Sequence, residues 1–257
     1  MSETSKAKGH VAAFITILIW GTTFISTKVL LKDFTPIEIL FIRFIIGYIA
    51  LWCVRPKFMP LRGRKQEGTF LLAGLCGICL YYLLENISLT LTQASNVGVI
   101  ISTAPFFTAI LARLSSREKE PLGVPFFLGF VAAMAGICLI SFSDGSASLN
   151  PTGDFLALLA AFIWACYSVL TKKISGYGYS TIETTRRVFF YGIMFMVPVM
   201  LFSGFAPDLK ALISPVSLGN MLFLGLGASA LCFVTWNAAV RILGAVRTSV
   251  YIYLVPV

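Results

Sequence analysis

Glu85 lies deep inside a long apolar segment, in the stretch LLENISL, with Asn86 beside it and few other polar residues nearby. A buried carboxyl without a partner favours its protonated form, whereas a nearby arginine favours the ionised form. A conformational change that makes and breaks a contact with Arg43 would therefore load and release a proton. The residue types predict proton coupling at Glu85, with a structural pair between Glu85 and Arg43 as the alternative.

Two arginines also fall inside apolar segments, where a charge is costly unless it is paired or functional. Arg187 has Glu183 four residues before it, so a local ion pair is available on one helix face. Arg43 has no acidic residue three or four positions away, because Glu38 is five away. We interpret these membrane-embedded charges as structural, and anion binding is the alternative.

The elements that carry these residues are apolar segments long enough to cross a membrane. The chain of 257 residues is 58% hydrophobic and 12% charged, with a mean hydropathy of +0.88, which is typical of a membrane protein. Runs of about twenty apolar residues, enough to cross ~30 Å of hydrocarbon, recur along it. We predict an all-α, multi-spanning fold with spans near 11–31, 34–54, 69–90, 94–114, 123–143, 154–174, 180–203 and 216–237, and a ninth beginning near 244.

The positive charge sets the orientation of these spans. The net charge is +9, but with the N-terminus inside, most lysines and arginines fall on cytoplasmic segments, and the opposite side has Lys28, Lys32 and Lys210. This bias is the positive-inside pattern. It predicts a multi-pass protein of the inner or plasma membrane with a cytoplasmic N-terminus, and no nucleic-acid partner.

The cysteines and the histidine favour packing over chemistry. All six cysteines lie within predicted spans, where cysteine usually behaves as a small hydrophobe. Cys76 and Cys79 have a redox spacing but sit in mid-span with no other ligand set nearby. His10 lies at the membrane edge. We therefore expect no metal site and no cofactor.

The chain contains an internal repeat. WGTTFISTK (20–28) and WACYSVLTK (164–172) share a Trp, a Thr and a Lys at an offset of 144 residues, and Arg43 and Arg187 share that offset. Asn86 with Asn237, and Pro105 with Pro256, follow at an offset of 151. Such ordered identities indicate duplication. We predict repeats at 11–143 and 154–257, joined by an extracytoplasmic linker at 144–153.

Because five spans precede the second copy, that copy should run upside down relative to the first. Inverted repeats are typical of secondary transporters, whose site lies near the bilayer midplane. The repeated W-x(6)-T-K, the arginine of each second span, the glycine and asparagine of each third span and the proline of each fourth span resemble the EamA branch of the drug/metabolite transporter superfamily.

The resemblance implies a ten-helix carrier, and not an enzyme, that exports amino acids, other metabolites or drugs by alternating access. It implies that the first, third, fourth, sixth, eighth and ninth helices line the path. Since the second repeat should continue beyond residue 257, we expect the chain to end within the ninth helix, without the tenth.

Polar and aromatic residues on matching faces of the repeats predict the substrate path, together with the two prolines that interrupt their helices and free backbone groups. Packing by Ser and Thr across helices, and simple proline kinks, are the alternatives. The predicted path comprises Trp20, Thr23, Thr27, Tyr82, Asn86, Asn96, Ser102, Thr103, Pro105, Trp164, Tyr167, Ser168, Trp236, Asn237, Thr248, Tyr251 and Pro256.

Three other functions remain open. An organophosphate or nucleotide-sugar antiporter would use Arg43, Arg186, Arg187 and Lys172. A membrane-embedded enzyme would need clustered catalytic groups at one depth, which the sequence does not offer. An inactive fragment is the third. The expected partners are a small-molecule substrate and the lipid bilayer, and the small-residue face Gly129–Gly136 predicts close packing with a tenth helix or with a second copy in a homodimer.

Overall fold

The computed structural model describes residues 3–60, 63–115, 124–141 and 150–255, and within them the chain is helical with no β-strand. Seven helices of this part of the chain are long and apolar enough to cross a membrane. The predicted all-α, multi-spanning fold is therefore confirmed. In chain order the seven helices are Glu3–Leu30, Pro36–Val54, Arg64–Leu91, Ala94–Ser115, Pro151–Ser175, Thr181–Ser203 and Pro215–Leu243. We number them the first to fourth and the sixth to eighth helices.

Two shorter helices, the fifth and the ninth, complete this order of helices in the described part of the chain. The fifth helix is Val124–Ser141, whose apolar stretch Val124–Leu139 is shorter than the seven. The ninth begins as the α-helix Ala245–Ser249 and continues as the 3₁₀ turn Val250–Leu254. Pro256 and linker residues 144–149 lie outside the described residues.

Local signals fix several helix ends. The second helix has Pro36 in its first turn, and the backbone N–H of Thr35 donates to Glu38 at 2.8 Å, a reciprocal arrangement typical of N-termini. Asn150 accepts a hydrogen bond from the backbone N–H of Gly153 at the start of the sixth helix. The seventh helix ends at Gly204, whose φ of 66° is left-handed and favours glycine.

Two close helix crossings join the two halves of the chain. The third helix crosses the seventh where Gly74 meets Gly192, and a Cβ on Gly74 would lie 2.7 Å from the Gly192 backbone nitrogen. The eighth helix crosses the second where Gly225 meets Gly47, and a Cβ on Gly225 would lie 3.1 Å from the Arg43 carbonyl oxygen. The first helix also packs on the eighth, and the sixth on the third. In each repeat, the second helix thus contacts the third helix of the other repeat, which is the pattern expected of a duplicated sequence.

Irregular backbone marks both halves. The first helix is interrupted at Gly21–Thr22 and the fourth at Ser102–Thr103. π-helical segments occupy Leu75–Leu80 of the third helix and Phe223–Leu231 of the eighth, which overlap at the 151-residue offset. Such segments are rare and frequently occur at functional sites. Neither the π segments nor the break at Gly21 was predicted from the sequence.

Candidate functional site

A cavity lies where the two halves meet. It holds about 400 Å³ of empty space, its open mouth included. The first, third, fourth, sixth and ninth helices contribute to its wall, and these are five of the six helices that the family resemblance implies. Its lining residues are Trp20, Thr23, Phe24, Tyr81, Tyr82, Glu85, Ile101, Trp164, Ile252 and Val255.

Aromatic rings build much of the cavity wall. The Trp20 ring centre lies 5.2 Å from that of Trp164 and 5.1 Å from that of Trp236. Trp236 is fully buried behind the wall and does not line the cavity. The Trp20 indole N–H donates to the Ala228 carbonyl at 3.0 Å, and Ala228 belongs to the π segment of the eighth helix. This bond fixes the Trp20 ring against the other half of the chain.

The break in the first helix places two lining residues. Gly21 and Thr22 separate Trp20 from Thr23, and the Thr23 hydroxyl donates to the Trp20 carbonyl at 2.7 Å. The side chain thereby satisfies a backbone group close to the interruption, which matters where water cannot do so. Irregular backbone at membrane depth is tolerated where it is buried in protein or lines a cavity, and here it borders one.

Glu85 is the acidic residue among the described residues that line the cavity. Its side chain is 5% exposed, and among the described residues no donor lies within hydrogen-bond distance of its Oε2. The Trp164 indole N–H likewise has no acceptor in the described part of the chain. Buried polar atoms are nearly always hydrogen-bonded, so unpartnered ones call for an explanation. An acceptor and a donor without partners around one cavity are what a ligand site requires.

Arg43 lies behind Tyr82 and outside the cavity lining. It is 1% exposed, its Nε donates to Ser229 Oγ at 3.0 Å, and its guanidinium lies 4.5 Å from the centre of the Tyr82 ring. The ion pairs between described residues do not include Arg43 with Glu85. In this conformation, therefore, the structural pair considered from the sequence is not formed.

Four other predicted path residues bond across helices, and most of the remaining described ones bond locally. Asn86 donates to the Pro36 carbonyl at 3.2 Å, and the Tyr167 hydroxyl donates to Asn237 at 3.0 Å. The Tyr251 hydroxyl lies 2.7 Å from Nδ1 of His10. Ser102, Thr103, Ser168 and Thr248 bond to carbonyls of their own helices, Asn96 donates to Thr92, Thr27 is buried, and Pro105 follows the break in the fourth helix. Of the predicted path, Trp20, Thr23, Tyr82 and Trp164 line the cavity together with Glu85.

A set of ion pairs joins the halves at one end of the molecule, where the second and third helices meet the seventh. Arg55 pairs with Glu183 at 2.6 Å, and Arg187 pairs with Glu67 at 2.6 Å. The guanidinium of Arg186 donates to the backbone carbonyls of residues 55 and 57 and lies 3.6 Å from the centre of the Trp52 ring. We call Arg55, Glu67, Glu183, Arg186 and Arg187 the clasp.

The pairing in the clasp corrects the local pair that the spacing suggested. Glu183 does not pair with Arg187, four residues along the same helix, because each reaches an oppositely charged residue of the other half. Tyr191 also donates to Glu67. The predicted membrane-embedded charges Glu183 and Arg187 are thus structural ties between the halves in this conformation.

Two other features lie apart from the cavity. A second space of about 350 Å³ lies among the sixth, seventh and eighth helices, with Asn237 and Arg241 in its wall. Gly129 and Gly136 of the fifth helix have no atom within 4 Å of an added Cβ among the described residues, so the expected packing partner of this face remains a prediction. No group of His, Cys, Asp and Glu suited to a metal occurs in the described part of the chain.

Comparison with known proteins identifies the family. The family model of the EamA-like transporter family matches residues 7–142 and again residues 151–257. The chain belongs to the EamA-like transporter family. This confirms the resemblance read from the repeated motifs, and the EamA-like matches fall on both halves of the chain.

Relatives of this EamA-like chain are named as transporters. An uncharacterized transporter of Archaeoglobus fulgidus is 29% identical over 97% of this chain and 86% of its own length. A protein of Streptantibioticus cattleyicolor named "Probable terminal-alkyne amino-acid exporter" is 25% identical over 97% of this chain and 82% of its own length. A solved crystal structure matches with a TM-score of 0.70 at 18% identity, over 97% of this chain and 86% of that one, which supports the fold. The chain is accordingly a membrane transporter of the EamA-like family.

Proposed function

We propose that the chain is a secondary transporter that exports a small organic molecule by alternating access, with the cavity around Glu85 as its substrate site. The observation that carries the proposal is a buried carboxylate with an unpartnered oxygen, in a cavity walled by helices of both halves. Secondary transporters with inverted repeats bind substrate at the repeat interface. Amino acids, other metabolites and drugs are the classes expected of the family.

The proposed direction of access follows from the charges. With the N-terminus in the cytoplasm, the clasp lies at the cytoplasmic end, where the second helix ends and the third begins. Its ion pairs then close that end, while the cavity lies nearer the outer ends of the first and third helices. Opening the clasp and closing the cavity would give the opposite state, since the repeats pack through related crossings.

Glu85 is proposed as the proton-coupling residue. A carboxyl that lacks a partner in one state and approaches Arg43 in another changes its preferred charge between the two states. Tyr82 lies against the Arg43 guanidinium and lines the cavity, so we propose that a movement of its ring lets Arg43 approach Glu85. The organophosphate alternative gains no support, because Arg43, Lys172, Arg186 and Arg187 do not line the cavity.

The test is substrate counterflow across liposomes that contain the purified chain. Ile101→Phe adds bulk to the cavity wall, whereas Ile25→Phe makes the same change at a site that is 66% exposed on the first helix. We expect Ile101→Phe to lower exchange at least about tenfold, since the larger side chain takes up space that the bound substrate needs. Ile25→Phe should exchange like the unmutated chain. Unaltered exchange by Ile101→Phe contradicts transport through this cavity.

A further inference from the structure

The described lining of the cavity contains one acidic side chain and no basic one. Glu85 is the acidic residue of the lining, and none of the other nine described lining residues is Lys, Arg or His. Arg43 is held outside by Ser229 and by the face of Tyr82. A ligand that brings its own carboxylate or phosphate into this space would face Glu85 without a lining cation, and an unpaired buried charge is costly.

The rings of the cavity favour a positive charge. Five of the ten described lining residues are aromatic: Trp20, Phe24, Tyr81, Tyr82 and Trp164. The face of an aromatic ring carries negative potential and attracts ammonium groups, most strongly for Trp and where water is excluded. Ammonium recognition by several rings and a carboxylate needs no further charged group, and both components are present here.

The same lining argues against a hard inorganic cation. Divalent ions such as Ca²⁺ take six to eight oxygen ligands, which is more than the described lining supplies from the side chains of Thr23, Tyr81, Tyr82 and Glu85. Ile101, Ile252 and Val255 cover the rest of the wall with aliphatic groups. An organic ammonium makes use of these apolar surfaces, while a bare ion does not.

We propose that the cavity takes a small organic monocation, a protonated amine with a compact apolar body, in preference to a zwitterion or an anion. Glu85 holds the ammonium group, and the Trp20 and Trp164 rings cover it. The proposal rests on the proposed transport through the same cavity and narrows its substrate class. An α-amino acid is disfavoured because its carboxylate meets no cation among the described lining residues.

Three probes of one shape test this preference on the purified full chain by isothermal titration calorimetry. 2-Phenylethylamine is a cation at neutral pH, phenylalanine is the corresponding zwitterion, and 2-phenylethanol is the neutral analogue. We expect the amine to bind at least about tenfold more tightly than either of the other two, the effect of one well-placed charge in a buried site. Equal or tighter binding of phenylalanine overturns the proposal, and so does the absence of binding by all three.

A carboxylate variant tests the role of Glu85. Glu85→Gln should lower the affinity for the amine at least about tenfold and leave that for 2-phenylethanol unchanged, because the charge is removed and the shape is kept. Glu38→Gln is the matched control, since Glu38 is equally buried at 5% exposure but serves the start of the second helix. Unchanged amine affinity in Glu85→Gln overturns the proposal.

Counterflow separates this proposal from the proposed function. If labelled amino acids exchange across liposomes and Ile101→Phe blocks them, while the amine does not bind, the ammonium proposal fails and transport through the cavity stands. If the amine binds as expected and exchanges, both stand. If nothing binds and nothing exchanges, both fail.

Discussion

The clasp and the cavity differ in whether their ionisable side chains have partners. In the clasp, Glu183 pairs with Arg55 and Glu67 pairs with Arg187. Arg186 donates to two backbone carbonyls. In the cavity, Glu85 has an oxygen without a partner in the described part of the chain, and so does the Trp164 N–H. Ion pairs between the two halves of the chain stabilise one arrangement of these halves. Unpaired buried polar groups, in contrast, are costly until a ligand or a proton binds them. From this difference we propose that the clasp closes one end of the molecule and that the cavity binds the substrate.

The largest expected effect on stability is that of a substitution in the third helix, between the clasp and the cavity. A Cβ at Gly77, in the π segment of the third helix, would lie 2.2 Å from the Tyr167 ring. We expect Gly77→Ala to destabilise the fold by about 1–3 kcal/mol, since a packed interior cannot absorb the added methyl group.

Thermal unfolding in detergent measures this change. Gly68→Ala on the same helix is the control, because no atom lies within 4 Å of its added Cβ. Equal melting temperatures for the two variants would show that the crossing of the third and sixth helices is looser than described.

The clasp should be measurable as a coupling between residues of the two halves. A double-mutant cycle with Glu67→Gln and Arg187→Gln should give a coupling of about 1 kcal/mol, because this pair is partly buried. The Arg55–Glu183 pair should give less, on the order of 0.5 kcal/mol, since Arg55 is 43% exposed and solvent screens it. Additive effects at positions 67 and 187 would mean that these charges do not tie the halves together.

The two cavity tryptophans sharpen the comparison within the cavity wall. Trp20→Phe removes an indole N–H that donates to Ala228, and Trp164→Phe removes one without an acceptor among the described residues. We expect Trp20→Phe to cost about 1 kcal/mol more in stability, because it leaves a buried carbonyl without its donor. Equal losses in chemical denaturation would remove the distinction between the paired and unpaired tryptophans.

Much of the fold could be predicted from the sequence, because the bilayer imposes length and hydropathy on each span. The third span, placed at 69–90, is Arg64–Leu91, and its polar first turn explains the difference. The break at Gly21 could have been suspected, since the second copy has Ala165 there and its helix is continuous. The π segments could not, because an extra residue in a turn leaves no pattern in an apolar run.

The site was predicted less completely than the fold. Trp20, Trp164 and Glu85 could be found because they are polar or aromatic residues at mid-span, two of them repeated. Asn86, Tyr167 and Asn237 share those properties and instead bond across helices, which depends on rotamers and packing that periodicity does not encode. Arg187 was paired with its sequence neighbour because spacing shows local partners, whereas Glu67 lies 120 residues away.

The most direct test of the account concerns Glu85 in a membrane with an imposed pH gradient. Liposomes containing the unmutated chain should accumulate substrate against its concentration gradient, and Glu38→Gln should do the same. Glu85→Gln should accumulate no more than protein-free liposomes, because it cannot carry the proton that drives the cycle. Accumulation by Glu85→Gln at the unmutated level would show that Glu85 is not the proton-coupling residue.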